Sequence, residues 1–502
     1  MLAWTIYLSF AGALIEALLP KGNAALARWV ALLVSVVGFG IAVAGFVSAA
    51  GQGRVVIADA PWVLTMGIHY TLAADGISRV LVLLTGLAAV AGVLFSWNIE
   101  LRTNEFFAFF LALIGGVYGV FLSFDLFLLF VFYEIAIVPK YFLIAIWGST
   151  RREYAAMKLA LYSFVGSAMV LVTLLAAYAA SGSHSTGLIE LSHANLPVSF
   201  QMWAFPLTFI GFGILAGMWP FHTWAPTGHV AAPTAASMLL AGVVMKLGAY
   251  GCLRVAMTLF PHGMDAWGFS FLGLGSWRDV FAVLAVIGIV YGALVALVQT
   301  DFKFVIGYSS VSHMGFVLLG LMTLNQIGIT GAVLQMFSHG VLAGLLFGIV
   351  GRIVYERTHT RQLADLEKMH LSKRLPFAAW GFAVAGMASM GLPGFSGFVA
   401  ELQVLIGSWT ANPWWTAAAG VGIIVGVAYT WRALQRAFFS DVPPAPHVHE
   451  HGNEHELAAL TWPEISGFVL LGVASLLVGL WPRVLLDTIE PAVKALLAGG
   501  AQ

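Results

Sequence analysis

The chain has few charged residues and almost no cysteine. Only 9% of its 502 residues are Asp, Glu, Lys or Arg, and the formal net charge is zero. Soluble domains carry roughly 25% charged residues, so this composition excludes a soluble protein and indicates an integral membrane protein. The single cysteine, Cys252, excludes an internal disulfide and a metal site built on paired cysteines. The zero net charge and the lack of a basic patch argue against nucleic-acid binding.

The sequence also lacks the motifs that bind redox cofactors. It contains no GxGxxG dinucleotide fingerprint, no cysteine cluster and no haem-ligand pattern. We therefore expect no NADH, flavin, iron–sulfur cluster or other cofactor to be bound by this chain.

Long apolar runs fill most of the chain, which is 60% hydrophobic. A helix needs about 20 apolar residues to cross a bilayer. On this rule the sequence predicts an all-α polytopic membrane protein of about 14 transmembrane helices, with residues 1–502 forming a single membrane domain. The predicted helices lie near 2–20, 29–50, 77–97, 105–122, 124–147, 154–181, 201–225, 230–256, 279–299, 304–323, 327–354, 377–407, 414–438 and 462–481. Residues 482–502 are predicted to form a short amphipathic tail.

Prolines interrupt two of the predicted helices, the seventh and the twelfth. Pro220 and two later prolines interrupt the apolar run around the seventh helix, and Pro393 lies among glycines in the twelfth. Proline removes a helical donor and clashes with the preceding turn, so both helices are expected to be broken. The breaks are five helices apart, which predicts two inverted five-helix repeats, helices 4–8 (105–256) and helices 9–13 (279–438).

Lysine and arginine are distributed unevenly between the loops. The loops after odd-numbered helices hold most of them, whereas the loops after even-numbered helices hold only Arg54, Arg79 and Arg278. Because positively charged loops stay in the cytoplasm, the odd-numbered loops are expected to be cytoplasmic. Both termini would then lie on the outer side of a bacterial inner membrane.

Several ionisable residues fall deep inside predicted helices. Glu134 lies about ten residues, or ~15 Å, into the fifth helix. Lys246 is similarly deep in the eighth helix, and Glu401 follows the break in the twelfth. Charged residues in a bilayer are costly and usually functional. His313 and His339 lie in the middle of the tenth and eleventh helices, where histidine can relay protons. The pattern predicts a proton path through these five side chains.

Structural roles remain open for some polar residues. A deep histidine can be a hydrogen-bonded packing residue, and a deep glutamate or lysine can belong to a buried ion pair. His222 and His229 flank the first break and can cap backbone groups freed by Pro220 and the later prolines. Two acidic–basic pairs near helix ends are predicted to be interfacial anchors: Asp75 with Arg79, and Asp301 with Lys303.

The loop 443–456 is rich in histidine, with His447, His449, His451 and His455. Such tracts can bind metal. Since no other ligands accompany the histidines, we expect a cytoplasmic loop rather than a metal site.

Six segments together resemble the antiporter-like membrane subunits of respiratory complex I and its relatives, and they are most similar to the M type of these subunits. They are FYEIAIVPKYFLI, PFHTWAPTGHVAAPTAASMLLAGVVMK, QTDFKFVIGYSSVSHMGF, QMFSHG, YERTHTR and GLPGFSGFVAE. The resemblance extends over nearly the whole chain. It implies a proton-translocating subunit of an NADH:quinone oxidoreductase, driven by redox chemistry in partner subunits that bind NADH, FMN, iron–sulfur clusters and quinone. It also implies L-like and N-like membrane subunits and lipids as partners.

Three alternatives remain beside this reading. They are a subunit of a Mrp-type cation/proton antiporter, a subunit of a membrane-bound hydrogenase, and a structural subunit with an inactive proton path.

The resemblance assigns roles to individual positions. In this family the positions of Glu134 and Lys246 belong to a proton path at the membrane midplane. The path continues through the positions of His313 and His339 to a charged residue on the broken twelfth helix, here Glu401. The L and N types and the Mrp subunits usually have lysine there, so glutamate favours the M type.

The sequence departs from the family on the seventh helix. The family has a lysine five residues before the proline of its PxHxW motif, and this chain has Leu215 there. Where an acidic residue commonly follows the later proline, this chain has Thr227. Lys140 lies six residues after Glu134, about 9 Å along the helix, and we expect it to replace the missing lysine. The alternative is that Lys140 extends to the cytoplasmic surface.

Overall fold

The computed structural model describes residues 1–20, 22–48, 51–265, 274–443 and 457–499, and long apolar helices make up most of this chain. In this described part of the chain, twelve helices are long and apolar enough to cross a membrane. Within the described residues, a shorter N-terminal helix and a broken helix over 376–411 bring the total to fourteen. In chain order they are α1 (Ala3–Leu18), α2 (Ala24–Ser48), α3 (Gly76–Phe95), α4 (Thr103–Leu122), α5 (Leu126–Trp147), α6 (Arg152–Ser181), α7a (Val198–Ala216) with α7b (Trp224–Ala231), α8 (Thr234–Leu259), α9 (Trp277–Val298), α10 (Phe302–Met322), α11 (Gln326–Thr358), α12a (Pro376–Ser389) with α12b (Ser396–Ala411), α13 (Pro413–Phe438) and α14 (Trp462–Leu480). The prediction of an all-α polytopic membrane protein is confirmed.

The centre of the bundle is formed by α3, α8 and α11. The apolar stretches of α8 and α11 are completely buried, whereas those of α2, α13 and α14 are about one-third buried or less. A helix that is apolar on all sides and enclosed by other helices must satisfy any polar side chain within the protein. Charged residues on α8 and α11 therefore have to find partners inside the bundle.

Both predicted helix breaks are present. Pro220 lies between the end of α7a and a 3-10 turn, Phe221–Thr223, that precedes α7b. Pro393 lies between α12a and α12b. The predicted boundary of the eighth helix at residue 230 is wrong, because α7b continues to Ala231 and α8 begins after Pro233. The residue before a proline is disfavoured in the α region, and Ala232 is accordingly extended.

The helices α5 and α10 begin in the same way. The Asp125 carboxylate accepts hydrogen bonds from two backbone N–H groups of the first turn of α5, and the Asp301 carboxylate does the same on α10. Each aspartate also forms an antiparallel bridge to a distant residue, Gly187 for Asp125 and Gln362 for Asp301. These are corresponding positions of the two predicted five-helix repeats, although the boundaries of the repeats stay a prediction.

Two central helices contain π-helical segments. In α8 these are Leu240–Val244 and Cys252–Ala256, and Lys246 lies between them. In α11 the π segment is Gly348–Tyr355. Such segments are rare in proteins, and where they occur they often lie at functional sites, which favours α8 and α11 as the location of the site.

Two features lie outside the helical bundle. The connection between α2 and α3 forms four short strands, in which Val55–Ala58 pairs with Leu72–Ala74 and Pro61–Val63 pairs with Ile68–His69. The sequence did not predict them. The predicted tail, 482–502, contains the helix α15 (Arg483–Leu497), which buries Leu485, Ile489 and Val493 and is amphipathic as expected. The histidine-rich loop with His447, His449, His451 and His455 lies outside the described residues.

Candidate functional site

Four of the predicted path residues form one continuous series at the centre of the bundle. The Nζ atom of Lys246 on α8 lies 2.7 Å from Nδ1 of His339 on α11. The rings of His339 and His313 are stacked, with centroids 5.5 Å apart. Nδ1 of His313 on α10 lies 3.0 Å from Oε1 of Glu401 on α12b. All four residues are buried. The structure therefore brings together side chains from four helices, in the order Lys246, His339, His313 and Glu401.

The contact between Lys246 and His339 depends on a close approach of α8 and α11. Gly242 and Gly340 face each other at this crossing, and a Cβ atom on Gly340 would lie 2.7 Å from the Gly242 carbonyl oxygen. Small residues let helix backbones approach closely inside a membrane. Lys246 also donates to the Ala241 carbonyl oxygen, so its side chain leans back toward the N-terminus of α8.

Two neutral side chains contact the end of the series formed by His313 and Glu401. Gln335 is buried on α11 and donates from Nε2 to Oε1 of Glu401 over 3.3 Å. Ser389, the last residue of α12a, lies 3.2 Å from Nε2 of His313. Neither residue is among those predicted from the sequence. Gln335 could have been found, because it precedes His339 by four residues and so shares a helix face with it.

Glu134 and Lys140 form a second polar group on α5. Glu134 is half-buried and interacts with the Ser167 side chain on α6 and with the charge of Lys140. Lys140 is 1% exposed, and within the described residues its Nζ atom has no hydrogen-bond partner. The alternative that Lys140 extends to the membrane surface is therefore wrong. The structure leaves Glu134 and Lys140 apart from the four-residue series, with no direct hydrogen bond to it.

The two positions that depart from the family have different surroundings. Leu215 is buried near the end of α7a, where a lysine was expected from the resemblance. Thr227 on α7b donates to the Thr223 carbonyl oxygen and accepts from Nζ of Lys158 over 3.4 Å. A cation thus reaches the neighbourhood of the first break from α6, which the sequence pattern did not indicate.

The residues around the first break do not act as the sequence suggested. Trp224 donates from its indole nitrogen to the Ile214 carbonyl oxygen over 2.8 Å and so satisfies a group freed at the end of α7a. Neither ring nitrogen of His229 has a hydrogen-bond partner within the described residues, so His229 is not a cap. The ring of His222 packs edge-on against Tyr291, with centroids 5.1 Å apart.

The predicted interfacial pairs are arranged differently from the expectation. Asp75 caps α3 and forms an ion pair with Arg254, and the Arg79 guanidinium donates to backbone carbonyls of the preceding loop. Asp301 caps α10 and pairs with Arg361 over 3.2 Å. Lys303 is 3% exposed, so it does not reach the lipid surface from its helix end.

The described residues contain no group of three or more His, Cys, Asp or Glu side chains that could hold a metal ion.

Comparison with known proteins gives consistent similarities. Residues 123–426 match the family described as NADH:quinone oxidoreductase/Mrp antiporter, transmembrane. The chain is 37% identical to NADH-quinone oxidoreductase subunit M of Rhodobacter capsulatus, and the alignment covers 99% of this chain and 96% of that protein. It is 38% identical to NAD(P)H-quinone oxidoreductase chain 4 1 of a Synechococcus species over 87% of this chain and 81% of that protein.

Solved structures share the fold. A chain of respiratory complex I from Thermus thermophilus with bound NADH superposes with a TM-score of 0.88 at 27% identity, covering 99% of both chains. A chain of the Mrp complex from a Dietzia species superposes with a TM-score of 0.83 at 20% identity, covering 99% of this chain and 97% of that one. The second similarity concerns the fold alone.

Proposed function

The chain belongs to the NADH:quinone oxidoreductase/Mrp antiporter family of membrane subunits, as an antiporter-like subunit of complex I, and we propose that it moves protons along the buried series from Lys246 to Glu401. It is a multi-pass membrane protein of a bacterial respiratory complex that acts as a translocase. The series of side chains at hydrogen-bond or stacking distance is the observation that supports the proposal.

The proposed mechanism is electrostatic. When one group in a buried series gains or loses a proton, the charge changes the proton affinity of the next group. Redox chemistry in partner subunits would supply the initial change of charge. Moving one charge against 100 mV requires ~2.3 kcal/mol, which is within the range of interactions between close charges in a protein interior.

The role of the missing lysine is part of the proposal. Lys140 is buried and interacts with the charge of Glu134, so it can serve as the cation that the family has at the position of Leu215. The proton path then has two parts: Glu134 with Lys140, and the series from Lys246 to Glu401.

The proposal extends to the neighbouring subunits of the chain and to its orientation in the membrane. We infer that it lies beside L-like and N-like antiporter-like subunits and lipids, with both termini on the outer side. NADH, FMN, iron–sulfur clusters and quinone would be bound by partner subunits. Loops after odd-numbered helices, which are rich in Lys and Arg, support this orientation.

Replacement of Glu401 tests the proposed function. In the assembled complex in proteoliposomes, Glu401→Gln should lower the number of protons pumped per electron transferred, while NADH oxidation continues. The control is Glu490→Gln on the exposed face of α15, which removes a charge outside the series.

Two rival functions give different results. If the subunit is structural and its path is inactive, the assembled complex would pump normally after Glu401→Gln. A Mrp-type subunit would purify without peripheral iron–sulfur subunits.

A further inference from the structure

Three serine hydroxyls join three helices beside the second helix break. The Oγ atom of Ser396, the first residue of α12b, lies 2.8 Å from Oγ of Ser338 on α11 and 3.0 Å from Oγ of Ser475 on α14. All three side chains are buried. A hydroxyl can donate one hydrogen bond and accept others, so Ser396 can bond to both neighbours at once. None of the three serines belongs to the series from Lys246 to Glu401.

These contacts differ from the usual contact of a serine in a helix. A helical serine often donates to a carbonyl oxygen of the preceding turn, as Ser9 does to the Thr5 carbonyl oxygen over 2.7 Å. Such a bond satisfies the hydroxyl but joins no second helix. In the described part of the chain, Ser338, Ser396 and Ser475 bond to one another instead. Hydroxyls that bond across helices hold helices together in a membrane, so α12b is connected to α11 on one side and to α14 on the other.

The link between α12a and α12b, residues 390–395, gives α12b little support of its own. Gly391 and Gly394 have positive φ angles of 81° and 101°, in the left-handed region that glycine adopts without strain. The N-cap residue of α12b is Phe395, whose side chain has no group that could accept a hydrogen bond from the first turn. The hydroxyl of the next residue, Ser396, therefore anchors the start of α12b.

The helix α14 supports the same point. Ser475 and Gly479 are four residues apart and share one face of α14. A Cβ atom on Gly479 would lie 2.3 Å from the Gly394 carbonyl oxygen and 2.3 Å from Cα of Phe395, so the backbone of α14 lies directly against the link. This close approach brings the Ser475 hydroxyl within reach of Ser396.

The position of α12b determines whether Glu401 meets its partners. Glu401 lies five residues, or about 7.5 Å, after Ser396 on the same helix. Its carboxylate reaches His313 over 3.0 Å and accepts from Gln335 over 3.3 Å. A hydrogen bond is lost at about 3.6 Å, so a shift of α12b by about 0.5 Å is enough to break either contact. Gln335 and Ser338 share a face of α11, so this helix holds α12b both at the carboxylate and at the hydroxyl.

We propose that Ser396 is a positioning residue of the proton path. Its hydroxyl holds the start of α12b between α11 and α14 and so keeps the Glu401 carboxylate in contact with His313. No proton passes through the three hydroxyls. The inference rests on the proposed function and adds the support that holds the second helix break in place.

The test is Ser396→Ala in the assembled complex in proteoliposomes. Positioning predicts that the ratio of protons pumped to electrons transferred falls toward that of Glu401→Gln. It also predicts a shift of the infrared band of the Glu401 carboxyl group, which is identified by its loss in Glu401→Gln. A hydroxyl that contributes only to packing would leave the ratio and the band unchanged.

The matched control is Ser408→Ala, on the same helix. Ser408 is also buried, and its hydroxyl lies 2.7 Å from Oγ1 of Thr416 on α13. This variant removes a contact between hydroxyls of two helices at a place outside the series. Its pumping ratio and its Glu401 band should match those of the wild type. Equal ratios for Ser396→Ala and Ser408→Ala would overturn the positioning role.

A disulfide decides the matter if Ser396→Ala does not assemble. The double variant Ser338→Cys with Ser396→Cys exchanges a hydrogen bond for a disulfide on oxidation, since the two hydroxyl oxygens lie 2.8 Å apart. The only other cysteine of the chain, Cys252, is buried on α8. The oxidised variant should pump at least as well as the reduced one, because the disulfide keeps α12b in its place. Failure of the disulfide to form, or loss of pumping on oxidation that a reductant reverses, would overturn the proposal.

The outcomes separate the two proposals. Normal pumping by Ser396→Ala, together with loss in Glu401→Gln, overturns the positioning role and leaves the proposed function standing. Normal pumping by both variants overturns the proposed function as well. A lower ratio in Ser396→Ala with an unshifted Glu401 band also overturns the positioning role, because the loss would then not arise at Glu401.

Discussion

Nζ of Lys246 and Nδ1 of His339 lie 2.7 Å apart, although 93 residues separate them in the chain. Lys246 belongs to the first predicted repeat and His339 to the second. A proton that crosses from one half of the subunit to the other along the proposed path has to pass this contact. The geometry of the contact depends on the two glycines at the crossing of α8 and α11 rather than on any charge.

Gly340→Ala should therefore reduce pumping without altering an ionisable residue. The new Cβ atom would lie 2.7 Å from the Gly242 carbonyl oxygen, so the two backbones must separate and the Lys246–His339 contact must lengthen. The measurement is the number of protons pumped per electron in proteoliposomes. Gly344→Ala, one turn further on α11, is the matched control, because among the described residues outside its own helix the nearest heavy atom to its Cβ would be 3.5 Å away. Equal pumping by both variants would show that the crossing distance is unimportant.

The members of the series could be predicted from the sequence, but some of their partners could not. Lys246, His313, His339 and Glu401 are titratable residues inside apolar runs, which is a local signal. Ser389, which lies 3.2 Å from Nε2 of His313, is neutral and gave no such signal.

Lys303 shows why a local signal can mislead. A lysine in the first turn of a predicted helix is usually interfacial, and the sequence predicts this position for Lys303. It is buried instead, because the Ala232 carbonyl oxygen, exposed by a helix break 71 residues away, accepts its hydrogen bond. Only the packing of α7b, α8 and α10 brings the two together.

Glu464 at the start of α14 should be important for stability. It is 0% exposed, accepts two hydrogen bonds from Arg357 over 3.1 and 2.8 Å, and lies 2.8 Å from Nε of Arg352. Removing one partner of a buried ion pair costs about 3–5 kcal/mol, because the remaining charges are uncompensated. Glu464→Ala should lower the midpoint of thermal unfolding of the purified complex. Glu490→Ala, on the exposed face of α15, should change stability by less than about 0.5 kcal/mol. An equal midpoint for the two variants would contradict the prediction.

Lys140→Leu should abolish the subunit's share of pumping while leaving assembly intact. Lys140 interacts with the charge of Glu134, and its ammonium has no hydrogen-bond partner within the described residues. Because the ammonium has no such partner, its replacement by leucine breaks no hydrogen bond and removes the cost of burying an unpartnered polar group. The thermal midpoint should therefore stay near that of the wild type while the ratio of protons to electrons falls. Normal pumping by Lys140→Leu would contradict the prediction, because Lys140 would then not be needed as the cation partner of Glu134.

Exchange of the two residues, Lys140→Leu with Leu215→Lys, should restore what the single substitution removes. Ser167 on α6 interacts with Glu134, and its neighbour Gly166 packs closely against α7a, where a Cβ atom on Gly166 would lie 3.5 Å from Cβ of Ile214. Residue 215 follows Ile214 directly, so a lysine there starts from a helix that already packs beside the carboxylate. Recovery of pumping in the double variant, measured against Lys140→Leu alone, would show that a lysine on α7a can take the place of the lysine on α5. If the exchange leaves pumping as low as in Lys140→Leu, a lysine at residue 215 cannot replace Lys140, and the proposed replacement of one by the other is contradicted.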